Sequence, residues 1–198
     1  MVHCRPLSEP VSPARRRLVG AAAGSLLAAW SGLSRAALAT GAAAPLFAAD
    51  AALAGKAFRF DLAQALQRGP VVLYFYPKAF TSGCTVEAHQ FAEATPRFQA
   101  LGATVIGMSG DDIATLKRFS VEACRNQFAV AADPDGAVMK QYDATLAGLS
   151  STADRISYVI APDRKVLYAY ASMRPDDHVR NTLQVVERWA QQSGGVAR

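Results

Sequence analysis

The chain has 198 residues, enough for one domain with a true core plus an appendage. Hydrophobic residues make up 51% and charged ones 19%, which excludes wholesale disorder. The net charge of +5 would suit an acidic partner, but residues 1–39 hold five basic side chains (Arg5, Arg15, Arg16, Arg17, Arg35) against Glu9. The remainder carries 16 basic and 15 acidic residues, so nucleic-acid binding loses its electrostatic footing.

Taken in chain order, the first segment reads as an export signal over residues 1–39. The basic run Arg15-Arg16-Arg17 leads into an apolar Gly/Ala-rich stretch from Gly20 to Trp30, too short for a membrane span, and Ala37-Leu38-Ala39 fits an Ala-x-Ala cleavage site. The arginine pair followed by Leu18-Val19 resembles the twin-arginine type of signal. Cleavage there would leave one domain, residues 40–198, in the periplasm with no stable membrane association. Two other readings stand open: an uncleaved anchor, or a start placed too early on a chain that stays in the cytoplasm. Cys4 belongs to this leader, so the domain keeps Cys84 and Cys124. They lack any Cys-x-x-Cys spacing, and no metal or cofactor is expected.

In the domain, residues 44–47 and 55–60 read as short strands around a turn, followed by a short helix from Asp61 to Gln67 capped by Asp61. Val71 to Tyr76 is a run of β-branched and aromatic residues, hence a buried strand, and Pro77 stops it. A helix from about Gly83 to Leu101 follows, with Val86, Phe91, Ala94, Phe98 and Leu101 at helical spacing and Pro96 as a kink. Thr104 to Ser109 is the next strand. Asp111 or Asp112 can cap a helix that continues to Cys124, and Phe128 to Ala131 is another strand. Strand alternating with helix implies parallel crossovers. Asp133-Pro134-Asp135-Gly136 is a turn before a short helix at 137–142, and 144–153 has no clear pattern. Residues 156–160 and 166–170 form a hairpin, and a last helix begins at Asp176-Asp177 with Trp189 as a packing residue.

Chemistry starts where the strand ending at Tyr76 stops. Cys84 falls in the first turn of a helix, where unpaired N–H groups and the positive end of the helix dipole favour the thiolate. An ordinary thiol, with a pKa of about 8.5, is only slightly ionised at neutral pH, so this placement bears on reactivity. A buried structural cysteine is the competing reading, and the polar Thr81-Ser82-Gly83 turn argues against it.

Pro77-x-x-x-Thr81-x-x-Cys84, preceded by the aromatic strand and followed by Glu87, resembles the active-site signature of the peroxiredoxins, AhpC/TSA-like thiol peroxidases. The resemblance covers residues 44–190 and implies an α/β thioredoxin-like fold in a single domain, a central mixed β-sheet flanked by helices. It implies a thioredoxin-dependent peroxidase of the EC 1.11.1 class, in which Cys84 attacks hydrogen peroxide or an organic hydroperoxide and becomes a sulfenic acid. Thr81 would supply a hydroxyl, and Pro77 would shield the sulfur from water. Arg155, just before the strand at 156–160, would contact the sulfur and the peroxide, with Glu87 orienting it.

Within that family the chain is most similar to the bacterioferritin-comigratory-protein group, the Q-type peroxiredoxins. Some members carry a second cysteine five residues after the first, where this chain has His89. Others carry it on the next helix, and the resemblance then implies that Cys124 resolves the sulfenic acid as a Cys84–Cys124 disulfide, recycled by a thioredoxin-like or other thiol donor. A one-cysteine peroxidase using an external thiol and a thiol-based redox sensor or binding protein stay open, and a monomer or weak dimer is expected. A disulfide oxidoreductase would need a cysteine at Thr81, and a thioredoxin-like copper chaperone would need paired sulfur ligands.

Overall fold

The computed structural model describes residues 37–194, so Cys4, the basic run and Arg35 lie outside the described residues. The chain order is β1 (Ala48–Leu53), β2 (Lys56–Asp61), α1 (Leu62–Leu66), β3 (Val71–Phe75), α2 (Ser82–Ala100), β4 (Thr104–Ser109) and α3 (Ile113–Glu122), then β5 (Ala129–Ala132), α4 (Ala137–Gln141), β6 (Ile156–Ile160), β7 (Val166–Ala171) and α5 (His178–Gln192). No described helix is long and apolar enough to cross a membrane.

One seven-stranded sheet runs β2-β1-β5-β4-β3-β6-β7. β3, β4 and β5 are parallel, as the alternating strand-helix pattern predicts, while β6 lies antiparallel to β3 and β1 antiparallel to β5. This is the mixed sheet of a thioredoxin-like domain. Alternation along β3 divides the core: Val71, Leu73 and Phe75 face α1 and α4, while Val72, Tyr74 and the following Tyr76 face α2, α3 and α5.

Where the structure departs from the sequence reading, the cause is tertiary. β1 occupies the alanine-rich segment 48–53, whereas 44–47 forms no strand, and Ala43 just before it makes an isolated bridge to Lys165. Alanine has little strand preference of its own, and β1 exists because β2 and β5 pair with it on both edges. α2 continues through Pro96 to Ala100, and its buried face is Cys84, Glu87, Ala88, Phe91, Ala92, Thr95 and Phe98, with Val86 exposed. Asp112, not Asp111, caps α3, its carboxylate accepting from the Thr115 N–H at 2.7 Å. α3 ends at Glu122, so Cys124 lies just past the helix. Ala37 and Leu38 are partly buried against the core, and the Leu38 N–H donates to the Tyr158 hydroxyl at 3.2 Å.

Candidate active site

The loop between β3 and α2 is held from the end of β4. The Ala79 N–H donates to Asp111 Oδ2 at 2.7 Å, the Ser109 hydroxyl donates to the same oxygen at 2.9 Å, and Lys78 Nζ lies 3.6 Å from Oδ1. Asp111 is buried, so the loop's path is fixed by charge-assisted hydrogen bonds in a shielded place. Phe80 then reverses the chain with φ 64°, a left-handed conformation that costs a non-glycine residue about 1–2 kcal/mol. Its ring is held by α3, edge-on to Phe119 at 5.2 Å with the Arg118 guanidinium 5.1 Å over its face. The reversal delivers the chain into α2 with Thr81 as N-cap.

Cys84 stands in the first turn of α2 and is 1% exposed. The Thr81 side chain does not cap the helix, so the first-turn N–H groups keep no side-chain partner. Its hydroxyl donates instead to the Lys78 carbonyl at 3.0 Å, within the loop. Pro77 is half-buried beyond the end of β3.

Arg155 arrives from the start of β6, the strand paired with β3. It is 3% exposed, and its three kinds of nitrogen serve three partners: Nε donates to the Met173 carbonyl at 3.1 Å, Nη1 to Glu87 Oε2, and Nη2 to Cys84 Sγ at 3.4 Å. Its carbonyl accepts from the Ser172 N–H at 3.1 Å, so the end of the β6–β7 hairpin straps both backbone and side chain. Gly83 makes the approach possible, since a Cβ there would meet Arg155 Nη2 at 3.2 Å. Burial opposes charge on this guanidinium, and Glu87 and Cys84 more than offset it, holding its pKa above the usual value.

Glu87 is fully buried on α2, and burial pushes its carboxyl up to about 8 against the pull of Arg155. Its second oxygen, Oε1, has no hydrogen-bond partner and lies 3.7 Å from Nδ1 of His178, the first residue of α5. His178 is itself buried, which holds its imidazole down at about 4.

Cys124 is fully buried in the same core cluster as Cys84, and both thiols are free. Its N–H donates to the Phe119 carbonyl at 3.0 Å in the turn closing α3, and burial raises its thiol pKa well above normal. The structure therefore brings Cys84, Arg155 and Glu87 into contact. It leaves Thr81 and Pro77 in the adjoining loop and Cys124 in the core behind. Among the described residues no group of three or more His, Cys, Asp or Glu is placed to hold a metal ion.

Residues 40–169 match the family model described as the AhpC/TSA family. The chain belongs to that family. Among AhpC/TSA relatives, the chloroplastic peroxiredoxin Q of Triticum aestivum is 34% identical over 119 residues, which are 60% of this chain and 54% of that protein. The chain thus spans about half the length of that relative. The crystal structure of the peroxidoxin BcpB from Mycobacterium tuberculosis superposes with a TM-score of 0.67 at 31% identity, covering 75% of this chain and 96% of the other. Peroxiredoxin Q of Xanthomonas campestris gives a TM-score of 0.61 at 25% identity, covering 71% and 90%.

Two residues at this AhpC/TSA site carry no motif signal. Asp111 reads equally well as a helix cap, and His178 sits in an ordinary helix start whose contact with α2 comes only from the packing of α5.

Proposed function

We propose that the chain is a thiol peroxidase that reduces hydrogen peroxide and organic hydroperoxides, with Cys84 as the nucleophile. The observation that carries this reading is the Arg155 Nη2 hydrogen bond to the Cys84 sulfur, made by a guanidinium that Glu87 and Met173 already hold in place. A thiolate attacks one peroxide oxygen, the S–O bond forms as O–O breaks, and the departing oxygen takes a proton to leave as water or alcohol. Arg155 is charged throughout and can follow the negative charge from sulfur to the departing oxygen, a type of stabilisation worth on the order of 10²–10³ in rate. Cys84 is left as a sulfenic acid.

Resolution by Cys124 completes the reading. Its sulfur would attack that of Cys84, release water and form a disulfide, which a thioredoxin-like or other dithiol donor would reduce by exchange. A single-cysteine cycle with an external thiol is the second reading, favoured by the complete burial of Cys124 and by burial raising its pKa. Mass measurement after one equivalent of hydrogen peroxide separates the two. Loss of two hydrogens in the wild type, with oxygen added to Cys84 in Cys124→Ser, supports the disulfide cycle. Oxygen addition in both leaves the single-cysteine cycle, and unreacted Cys84 in both overturns the peroxidase. Sustained consumption of peroxide with a thiol donor separates an enzyme from a sensor or binding protein, which oxidises once.

The basic run and Ala-x-Ala site support export to the periplasm, where such a donor would also have to reside. The N-terminal sequence of the protein from a fractionated cell tests this, with Thr40 as the expected first residue. We further propose a monomer or weak dimer, checked by sedimentation of the purified protein.

A further inference from the structure

We propose that in the reduced protein Glu87 holds a proton and that His178 is the positioning residue that keeps it there, leaving the negative charge beside Arg155 on the Cys84 sulfur. The inference deepens the peroxidase reading, which it needs only for the use made of the thiolate.

Hydrogen positions follow from which partners can only accept. The Ser172 carbonyl lies 2.9 Å from His178 Nε2, so Nε2 carries the hydrogen. Burial keeps the ring neutral, which leaves Nδ1 as a bare acceptor. That single lone pair takes one donor at a time, either the Ser157 hydroxyl, 2.8 Å away, or a proton on Glu87. Facing the same nitrogen at 3.7 Å is Glu87 Oε1, fully buried and without a hydrogen-bond partner.

With Glu87 ionised, the Ser157 hydroxyl occupies Nδ1, and Oε1 is a buried carboxylate oxygen left without a donor. That arrangement carries the desolvation penalty of an unsatisfied buried group. With a proton on Oε1, a small turn of the carboxyl lets it donate to Nδ1 in place of the Ser157 hydroxyl, and what is left to find a partner is a neutral hydroxyl rather than a carboxylate oxygen. Oε2 continues to accept from Arg155 in either case.

Charge counting leads to the same place. The pocket holds one permanent positive charge, Arg155, and two acids in contact with it, Cys84 and Glu87. A shielded pocket favours neutrality, hence one negative charge over the two acids. Each proton that Glu87 holds is one that Cys84 does not need. The exchange breaks the Cys84 S–H bond and forms the Glu87 O–H bond through solvent, and no electrons move. The other groups near this pair do not alter the count. Tyr74, from β3, keeps its phenol proton because of burial, and Asp154 and Asp177 act on His178 from outside the pocket. The upward push of burial on the Glu87 carboxyl agrees in direction.

The test has two arms, neither needing peroxide, so its failure is distinct from failure of the peroxidase reading. In infrared spectra of the reduced protein at neutral pH, the carbonyl stretch of a protonated carboxyl is expected, lost in Glu87→Gln and lost in Cys84→Ser, where neutrality requires Glu87 to ionise. Absence of that band in the wild type overturns the proposal. In the second arm, thiolate absorbance is measured at neutral pH in a Cys124→Ser background. His178→Phe is expected to lower the thiolate absorbance at neutral pH, an effect that vanishes when Glu87→Gln is also present. Unchanged absorbance, or the same change in both backgrounds, overturns the role of His178. Should His178→Phe not fold, His178→Asn and the infrared arm keep the question decidable.

Discussion

The guanidinium of Arg155 lies with Nη2 3.4 Å from the Cys84 sulfur across 71 residues of sequence, and the contact is the junction of two parts of the fold. Cys84 comes from the parallel half through β3 and α2. Arg155 comes from the antiparallel hairpin of β6 and β7, where Ser172 and Met173 hold its backbone and Nε. The proposed active centre draws on both parts, which meet at the β3–β6 ladder.

Replacing Arg155 by lysine should slow oxidation of Cys84 by about 10²-fold, read as the rate of peroxide consumption. A compact ammonium cannot reach the Met173 carbonyl, Glu87 and the sulfur together as the planar fork does. Oxidation within a few-fold of wild type would show that the fork is not needed for the reaction.

Asp111→Ala leaves the Ala79 N–H and the Ser109 hydroxyl without their acceptor. The expected cost is about 1–3 kcal/mol in denaturant unfolding, with a lower rate of Cys84 oxidation because the loop ahead of α2 loses its tie. Ser109→Ala, which leaves the Ala79 hydrogen bond in place, should cost less. Equal losses from the two would mean that the tie to Ala79 is unimportant.

Legibility divides along contact range. Cys84, Thr81, Pro77 and Glu87 fall within eleven consecutive residues, and a strand stop followed by a helix start is written locally. β1 was not legible, because an alanine-rich strand is made by its partners on both edges. The buried face of α2 excludes Val86 despite its apolar spacing, because spacing alone cannot tell which side of the helix meets the sheet. Arg155 was reachable only through a family likeness. Asp111 and His178 were not reachable as site residues, since their partners lie 32 and 91 positions away, at Ala79 and Glu87.

Gly107 should not tolerate alanine. It pairs with Tyr74 across the β3–β4 ladder, and a Cβ would meet Tyr74 Cζ at 2.8 Å. That ring cannot withdraw, being stacked on Phe91 at 4.3 Å. Gly107→Ala should lower stability by about 1–3 kcal/mol. Tyr74→Leu should recover much of the loss, whereas Tyr74→Phe, which keeps the clashing ring, should recover little. Thermal melts of the single and double variants decide it.

Stability should depend on pH in a pattern set by His178 and Glu87. The folded imidazole titrates at about 4 and the unfolded one near 6.5, so unfolding takes up a proton as pH falls through that window. Stability then drops by about 3 kcal/mol at full extent. Glu87 acts in the opposite sense: its folded carboxyl titrates at about 8 against 4.5 unfolded, so its contribution is full below 4.5 and is lost as pH rises through 8. The two slopes oppose each other from 4.5 to 6.5, giving a plateau with a fall on either side. Denaturant unfolding of His178→Asn should lack the acidic fall. A fall equal to that of the wild type would rule out His178 as its source.

The close fit between Gly83 and the Arg155 guanidinium has a consequence for what this turn can become. Ser82 is exposed, so its side chain can be exchanged freely. One position later, the smallest added carbon would push on the very nitrogen that touches sulfur. Gly83→Ala therefore offers a graded instrument: a displacement of a few tenths of an ångström at Nη2 with no change of charge. How far reactivity at Cys84 follows that displacement would measure the tolerance of the chemistry to distance, separately from its dependence on charge.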